Sequence, residues 1–167
     1  MNNSIEMQQL IKFFEENKEN LYKFAYGYVK NQDIALDLVH DSIVKAVQKV
    51  NTLINKDYLK TWFYRILINE CMGYFRKNKK LLFFGDIKYD THMEQTNNFI
   101  DNDEYIDLYD AIDKLSPKLK TVIMLRYFED MKLDEIAKIT RTNLSTTKSR
   151  LYKALKLLKI DMKGEKL

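Results

Sequence analysis

Residues 133–158 read LDEIAKITRTNLSTTKSRLYKALKLL, and the parsing of this stretch decides the fold. Leu133, Ile136, Ala137 and Ile139 recur at helical spacing and form one inward stripe. A turn follows near Arg141–Asn143, after which Leu144, Leu151, Ala154, Leu155 and Leu158 form the inward stripe of a second helix. A short helix, a tight turn and a longer helix is helix-turn-helix spacing. Ala137 suits the crossing point, because a larger side chain would push the two helices apart. The outward side of the second helix carries Ser145, Thr146, Lys148, Ser149, Arg150, Lys153 and Lys156, and no acid occurs between Ile136 and Ile160. In a helix-turn-helix the start of the second helix enters the major groove, where hydroxyls and guanidinium groups reach base edges and lysines farther along meet phosphates. A solvated basic helix that only covers a core is the plainer alternative. The preceding short helix, the turn spacing and the lack of acid favour duplex DNA.

Working back from that stretch, Ser116-Pro117 opens a helix with Ser as cap and Pro in the first position, carrying Leu119, Val122, Ile123, Leu125, Arg126 and Phe128. A further helix covers Tyr105–Leu115. From 81 to about 102 the periodicity fades and acid accumulates. Residues 81–113 hold one basic and nine acidic groups, whereas residues 1–80 hold 13 basic and 9 acidic ones and residues 114–167 hold 14 and 6. Two basic blocks flanking an acidic one suggest two polyanion-facing units joined by an acidic linker. Leu81, Leu82, Phe83 and Phe84 are expected to pack on the first unit, because four large apolar groups in water would be costly.

The first half also reads as helices. Residues 6–30 show a core stripe with a break near Asn17. Asn31 is expected to cap a helix to about Val50, with Asp33 in its first turn and Ile34, Leu38, Ile43, Val47 and Val50 inward. Asp33, Asp37 and Asp41 follow at i, i+4 spacing, with His40 on a neighbouring edge. Like charges at that spacing disfavour an isolated helix by about 0.2–0.5 kcal/mol per pair, so the strip either is screened by water or faces a basic partner. A polar loop over 51–56 leads to a helix from about Asp57 to Lys79, on which Thr61, Arg65, Asn69 and Arg76 lie close to one face. Basic groups and an amide among aromatics suit single-stranded DNA, although Trp62, Phe63 and Phe75 share the face that buries and read as core.

Composition narrows the rest. The 167 residues are 46% hydrophobic and 13% aromatic, with 4 Gly and 1 Pro, which disfavours both whole-chain disorder and a turn-rich β fold. One cysteine, Cys71, excludes an internal disulfide and points to a reducing compartment. Without a long apolar run or a signal-like start, the expectation is a cytoplasmic, all-α protein of two small helical domains. No phosphate-binding Gly loop or nucleophile–base pairing is present, and His40 and His92 cannot build a metal cluster with one cysteine. No catalytic residue, cofactor, metal or small-molecule substrate is expected.

Four strings carry a family resemblance. ALDLVHDSIVKAV (35–47), KTWFYRILIN (60–69), LSPKLKTVIMLRYFEDMKLDEIAKI (115–139) and TKSRLYKALKLL (147–158) resemble, in order and spacing, the extracytoplasmic function (ECF) sigma factors of the sigma-70 family. YVKNQDIALDL, KTWFYRIL and RLYKALKLLKI are closest in wording to its sigma-V subgroup. The resemblance implies a sigma region 2 domain over 1–82, an acidic linker over 83–104 near the polymerase's RNA path, and a region 4 domain over 105–167. It puts Asp37, His40 and Asp41 on the surface that grips the β′ clamp helices of core RNA polymerase, with the β subunit a further contact. Leu53, Thr61, Arg65, Ile66, Asn69 and Arg76 fall at the minus-ten element, where Asn69, Ile66 and the 51–56 loop capture a flipped base; Trp62 is chiefly structural. Ser145, Thr146, Lys148, Ser149, Arg150 and Lys153 fall on the helix that reads the minus-35 element. The implied partners are core polymerase, promoter DNA and a membrane-anchored anti-sigma factor that holds the chain at the membrane, in an envelope stress response of the lysozyme type if the sigma-V likeness holds. Arg141 stands where many relatives carry Gly, and Thr142, Asn143 and Thr147 replace commonly apolar or Pro positions. Leu53 stands where some relatives place an aromatic, and His40 replaces a common Gln. The rival readings are a stand-alone helix-turn-helix regulator and an adaptor that blocks a protein surface.

Overall fold

The structure, a computed structural model, describes the backbone of residues 2–84 and 103–164 and the side chains of residues 6–78 and 108–159. Among the described residues there is no strand. Seven helices follow in order: α1 (Asn2–Val29), α2 (Gln32–Lys49), α3 (Leu59–Phe84), α4 (Asp103–Asp113), α5 (Pro117–Ile123), α6 (Leu133–Thr140) and α7 (Leu144–Gly164).

The break expected near Asn17 does not occur. Asn17 Nδ2 donates back to the Phe13 carbonyl at 2.9 Å, so the side chain bonds within the turn and α1 runs through. The helix ends at Lys30, whose φ of 49° is left-handed and whose amide donates to Tyr26 O at 2.8 Å. Asn31 then caps α2 as expected, its Oδ1 accepting from the Ile34 amide at 3.0 Å. The inward side of α2 is Ala35, Leu38, Val39, Ser42 and Ala46. Val47, expected inward, is 40% exposed, because the small residues Ala35, Ser42 and Ala46 turn the close-packed face away from it. Edge-to-face aromatic pairs lock α1 to α3: Phe24 to Tyr64 at 5.2 Å and Phe13 to Phe63 at 5.6 Å between ring centres. Lys45 on α2 pairs with Glu70 on α3.

In the second half, Ile112, Leu115, Leu119, Val122, Ile123, Leu125, Ile136, Ile139, Leu151, Ala154 and Leu158 are buried. Pro117 starts α5 as expected, but the Ser116 hydroxyl makes no capping hydrogen bond; only its carbonyl accepts, from Lys120 N at 2.9 Å. After α5 the chain widens into a π turn, Met124–Phe128, closed by Met131 N to Leu125 O at 3.1 Å and by Arg126 Nη1 to Met131 O at 3.0 Å. Leu144, expected inward, is 43% exposed, since it sits in the first turn of α7 before that helix reaches the core.

The helix α3 continues to Phe84, beyond the Lys79 expected from periodicity. The expected packing of Leu81, Leu82, Phe83 and Phe84, most of the acidic linker (85–102) and His92 lie outside the described residues or side chains. The two halves pack on one another. Gly27 of α1 lies so close to Met124 that a Cβ there would sit 2.4 Å from Met124 Cε.

Candidate nucleic-acid and partner interfaces

The turn between α6 and α7 is held by side chains rather than by glycine. Arg141 adopts φ 55° and ψ 44°, a left-handed conformation that costs an L residue about 1–2 kcal/mol. The Thr142 amide reaches back to Ala137 O at 3.0 Å, which closes α6. Three hydroxyls then form a chain, Thr140 Oγ1 to Thr142 Oγ1 at 3.0 Å and Thr142 Oγ1 to Thr147 Oγ1 at 2.9 Å, and buried Thr147 donates on to Asn143 O at 3.0 Å. Asn143 caps α7, its Oδ1 accepting from the Thr146 amide at 2.7 Å. The threonines at unusual positions are therefore the scaffold of the turn. Ala137 on α6 is buried, 7% exposed.

Beyond that turn, Ser145, Lys148, Ser149 and Lys153 are exposed, with Thr146 and Arg150 half-buried. Ser145, Thr146, Ser149, Arg150 and Lys153 line one side of a shallow groove of about 360 Å³, and Ser116, Lys118 and Leu119 from the start of α5 line the other. The groove holds three cationic side chains, hydroxyls and no acid. Ser116 and Lys118 escape a sequence reading because they lie about 30 residues away; the hydroxyl of Ser116, unused in capping, is the local sign of them.

The outer face of α2 is of another kind. Asp37, His40 and Asp41 are all exposed. Beside them stand three exposed apolar groups, Leu36 at 38%, Val44 at 54% and Val47 at 40%. At 100° per residue these six side chains share one face, an apolar strip edged by carboxylates, which is how a protein-docking helix face is built. The sequence shows the acid through its spacing but hides Val47, which periodicity assigns to the core.

On α3, Asn69 and Arg76 are exposed, and Thr61 and Ile66 are half-buried. Trp62 is half-buried against the core, as a structural residue would be. In the preceding loop Leu53 is 8% exposed, while Ile54 is fully exposed. Arg65 is engaged: its Nη2 donates to the Lys138 carbonyl of α6, and its Nε is buried without a partner among the described residues. Glu129, packed under the Tyr64 hydroxyl, has its carboxyl raised above the usual range by burial, with Tyr64 and Lys60 pulling it back. Burial pushes the Cys71 thiol up to about 12, with Glu70 adding and Lys120 opposing, so it stays protonated at neutral pH. Among the described residues no group of three or more His, Cys, Asp or Glu side chains could hold a metal ion. No helix there is long and apolar enough to cross a membrane.

An all-helical chain whose second half carries a helix-turn-helix with an acid-free polar face is the arrangement of a helical transcription factor. Residues 13–81 match the family model for Sigma-70 region 2, and residues 105–158 match that for Sigma-70, region 4. Over 163 residues the chain is 42% identical to RNA polymerase sigma factor SigV of Bacillus subtilis, covering 95% of this chain and 93% of that one. It is 28% identical to the ECF RNA polymerase sigma-E factor of Haemophilus influenzae, over 78% and 75% of the two chains. The chain belongs to the sigma-70 family, as an RNA polymerase sigma factor of the ECF group. Among solved structures it resembles the sigma factor RpoE bound to the anti-sigma factor NepR from Bartonella quintana, with a TM-score of 0.76, 25% identity, and 91% and 97% coverage. CnrH, solved with the cytosolic domain of CnrY, shares the fold at a TM-score of 0.71 and 16% identity, covering 97% of both chains. Sigma factors are transcription initiation factors, and the helix-turn-helix assigned from the sequence is the region 4 portion of one.

Proposed function

We propose that the chain divides its work between a region 2 domain over 1–82 and a region 4 domain over 105–167, with residues 83–104 as linker. The observation that carries this reading is the pairing of opposite surfaces: an acidic and apolar face on α2, and acid-free polar faces on α3 and α7. Asp37, His40 and Asp41, with Leu36, Val44 and Val47 beside them, dock on the β′ clamp helices of core polymerase, and the β subunit meets the second domain. Ser145, Thr146, Ser149 and Arg150 read base edges of the minus-35 duplex. Lys148, Lys153 and Lys118 hold its phosphates, with the Ser116 hydroxyl across the groove as a further donor.

On α3, Asn69 and Ile66 receive an unstacked base of the minus-ten non-template strand, while Thr61, Arg65 and Arg76 follow its backbone. Ile54, rather than the buried Leu53, is the apolar side chain that the preceding loop offers to that base. No bond is made or broken by this chain. Melting is driven by binding the unstacked strand better than the duplex. The factor is cytoplasmic and is held by an anti-sigma factor, a reading supported by the complex of the similar sigma factor RpoE with the anti-sigma factor NepR; the family resemblance adds that this inhibitor is membrane-anchored. An envelope stress response with a lysozyme-type signal is what the sigma-V resemblance implies.

Permanganate footprinting with an Asn69→Ala variant tests the strand-capture step. Thymine reactivity at the minus-ten element should drop by about 10-fold, within the 1–3 kcal/mol usual for one base contact, while gel-shift affinity for the minus-35 duplex stays unchanged. Full reactivity in the variant would remove Asn69 from the pocket.

A further inference from the structure

Glycine inside a helix weakens it relative to alanine, so a helical glycine calls for a reason. A positive φ is the usual one, and among the described residues no glycine has it. Close packing is the other. Gly27 of α1 meets it, because a Cβ there would sit 2.4 Å from Met124 Cε. Gly73, in the interior of α3, meets neither. It is half-buried, and a Cβ built on it would have Arg76 Nη2 as its nearest neighbour beyond the helix's own backbone, at 3.9 Å, an ordinary contact. Among the described residues nothing in the fold needs the missing side chain.

The bare spot lies among the residues proposed for strand capture. At 100° per residue, Ile66, Asn69, Gly73 and Arg76 fall within an arc of about 80° on α3, with Gly73 four residues after Asn69 and three before Arg76. Asn69 and Arg76 are exposed, and Ile66 is half-buried. Along the axis Asn69 and Gly73 stand roughly 6 Å apart at 1.5 Å per residue, one to two steps of a stacked strand at 3.4 Å. A base received by Asn69 therefore brings its neighbouring nucleotide over Gly73. There the helix backbone itself is the surface, with the Arg76 guanidinium beside it. Glu70, the acid adjoining Asn69, is paired with Lys45 on α2, which offsets its repulsion of a phosphate.

We infer that Gly73 is a notch for the sugar of the nucleotide adjoining the captured base, with Arg76 on the phosphate next to it. The inference rests on the minus-ten reading of α3 and adds to it a contact made by the helix backbone. A sugar can lie against a Cα only where no side chain projects, which is why glycine recurs where a ligand closely approaches the backbone. The glycine lowers helix stability and in return lets the strand come close. Because the contact is to sugar and phosphate, it carries no base preference of its own.

The test reconstitutes core polymerase with the full chain or with its Gly73→Ala, Gly73→Leu or Asn69→Ala variant. Fluorescence anisotropy reads binding of a labelled non-template minus-ten strand from a promoter mapped for this factor, intact and with single abasic nucleotides stepped along it. Thermal melts of the free chain read the fold. Gly73→Ala should melt higher, since alanine is the better helix former and enters open space. It should nonetheless bind the strand about 5- to 10-fold more weakly, and Gly73→Leu about 30-fold or more, as an overfilled contact does. The captured base is the one whose removal erases the Asn69→Ala penalty. Removing its neighbour should leave the Gly73→Ala penalty in place, because sugar and phosphate remain. A glycine that served only the fold could not move melting and binding in opposite directions. Wild-type strand affinity in both Gly73 variants, with Asn69→Ala weakened, overturns the notch and leaves the minus-ten reading standing. Wild-type affinity in all three variants sinks that reading and the notch with it. Weakening in both Gly73 variants alone keeps the notch and removes Asn69 from the strand. A Gly73→Ala penalty that disappears at the abasic neighbour overturns the sugar contact in favour of a base, and a Gly73→Ala chain that melts lower than wild type overturns the inference because the fold then needs the glycine.

Discussion

The helices α3 and α7 carry similar chemistry in opposite states. Both present hydroxyls and cations on one side and bury aromatic or aliphatic residues on the other. On α7 the polar side opens onto a groove, with Ser145, Lys148, Ser149 and Lys153 exposed. On α3 the middle of the polar side is occupied, Arg65 by Lys138 O and the neighbouring Lys60 by Glu129 O. The difference teaches that charge pattern identifies which faces suit a polyanion, whereas tertiary packing decides which of them is available at a given moment.

Four variants break or sharpen that contrast, beginning with the largest effect. Asp37→Arg combined with Asp41→Arg places positive charge on the exposed face of α2. Affinity for core polymerase should fall by at least about 100-fold, since like charges facing across an interface cost several kcal/mol. Both side chains are exposed, so the melting temperature should hold and the minus-35 duplex should still bind; a pull-down that retains polymerase would detach this face from docking. Next, Arg150→Ala should weaken the minus-35 duplex by about 1–3 kcal/mol and relax preference at one base pair, while Lys153→Ala should weaken all duplexes alike and lower the salt slope by about 1. Equal behaviour of the two variants in a salt titration would merge base reading and phosphate contact on α7. Smallest is Arg141→Gly, which relieves the left-handed residue in the turn. It should raise stability by up to about 1 kcal/mol in urea melts without changing base preference. A loss of stability would mean that the Arg141 side chain holds the turn.

Much of this was legible in the sequence because its signals are local. Asn31 and Asn143 are side-chain caps, readable from one residue and its neighbours, and both make the bonds their positions predict. The helix-turn-helix follows from spacing and from the absence of acid after Glu135. What escaped is non-local. Val47 looks like core by periodicity, yet the small residues on α2 rotate the buried face away from it. Asn17 is the local exception: it looks like a breaker, but its amide bonds to the preceding turn. Leu53 and Ile54 are neighbours in an apolar pair, and only the folded loop shows that Leu53 is buried and Ile54 is out. Lys120 reads as one more basic residue in a basic block. Its place between Tyr28 and Phe75 depends on two segments about 45 and 90 residues away, which no pattern along the chain displays.

The most direct test of the central claim is transcription with purified parts. Core RNA polymerase, this chain and a library of genomic fragments are combined, and transcript 5′ ends are mapped with and without the chain. A sigma factor predicts new, promoter-specific start sites that vanish with the Asp37→Arg/Asp41→Arg variant; the same start sites in its presence and absence would contradict it.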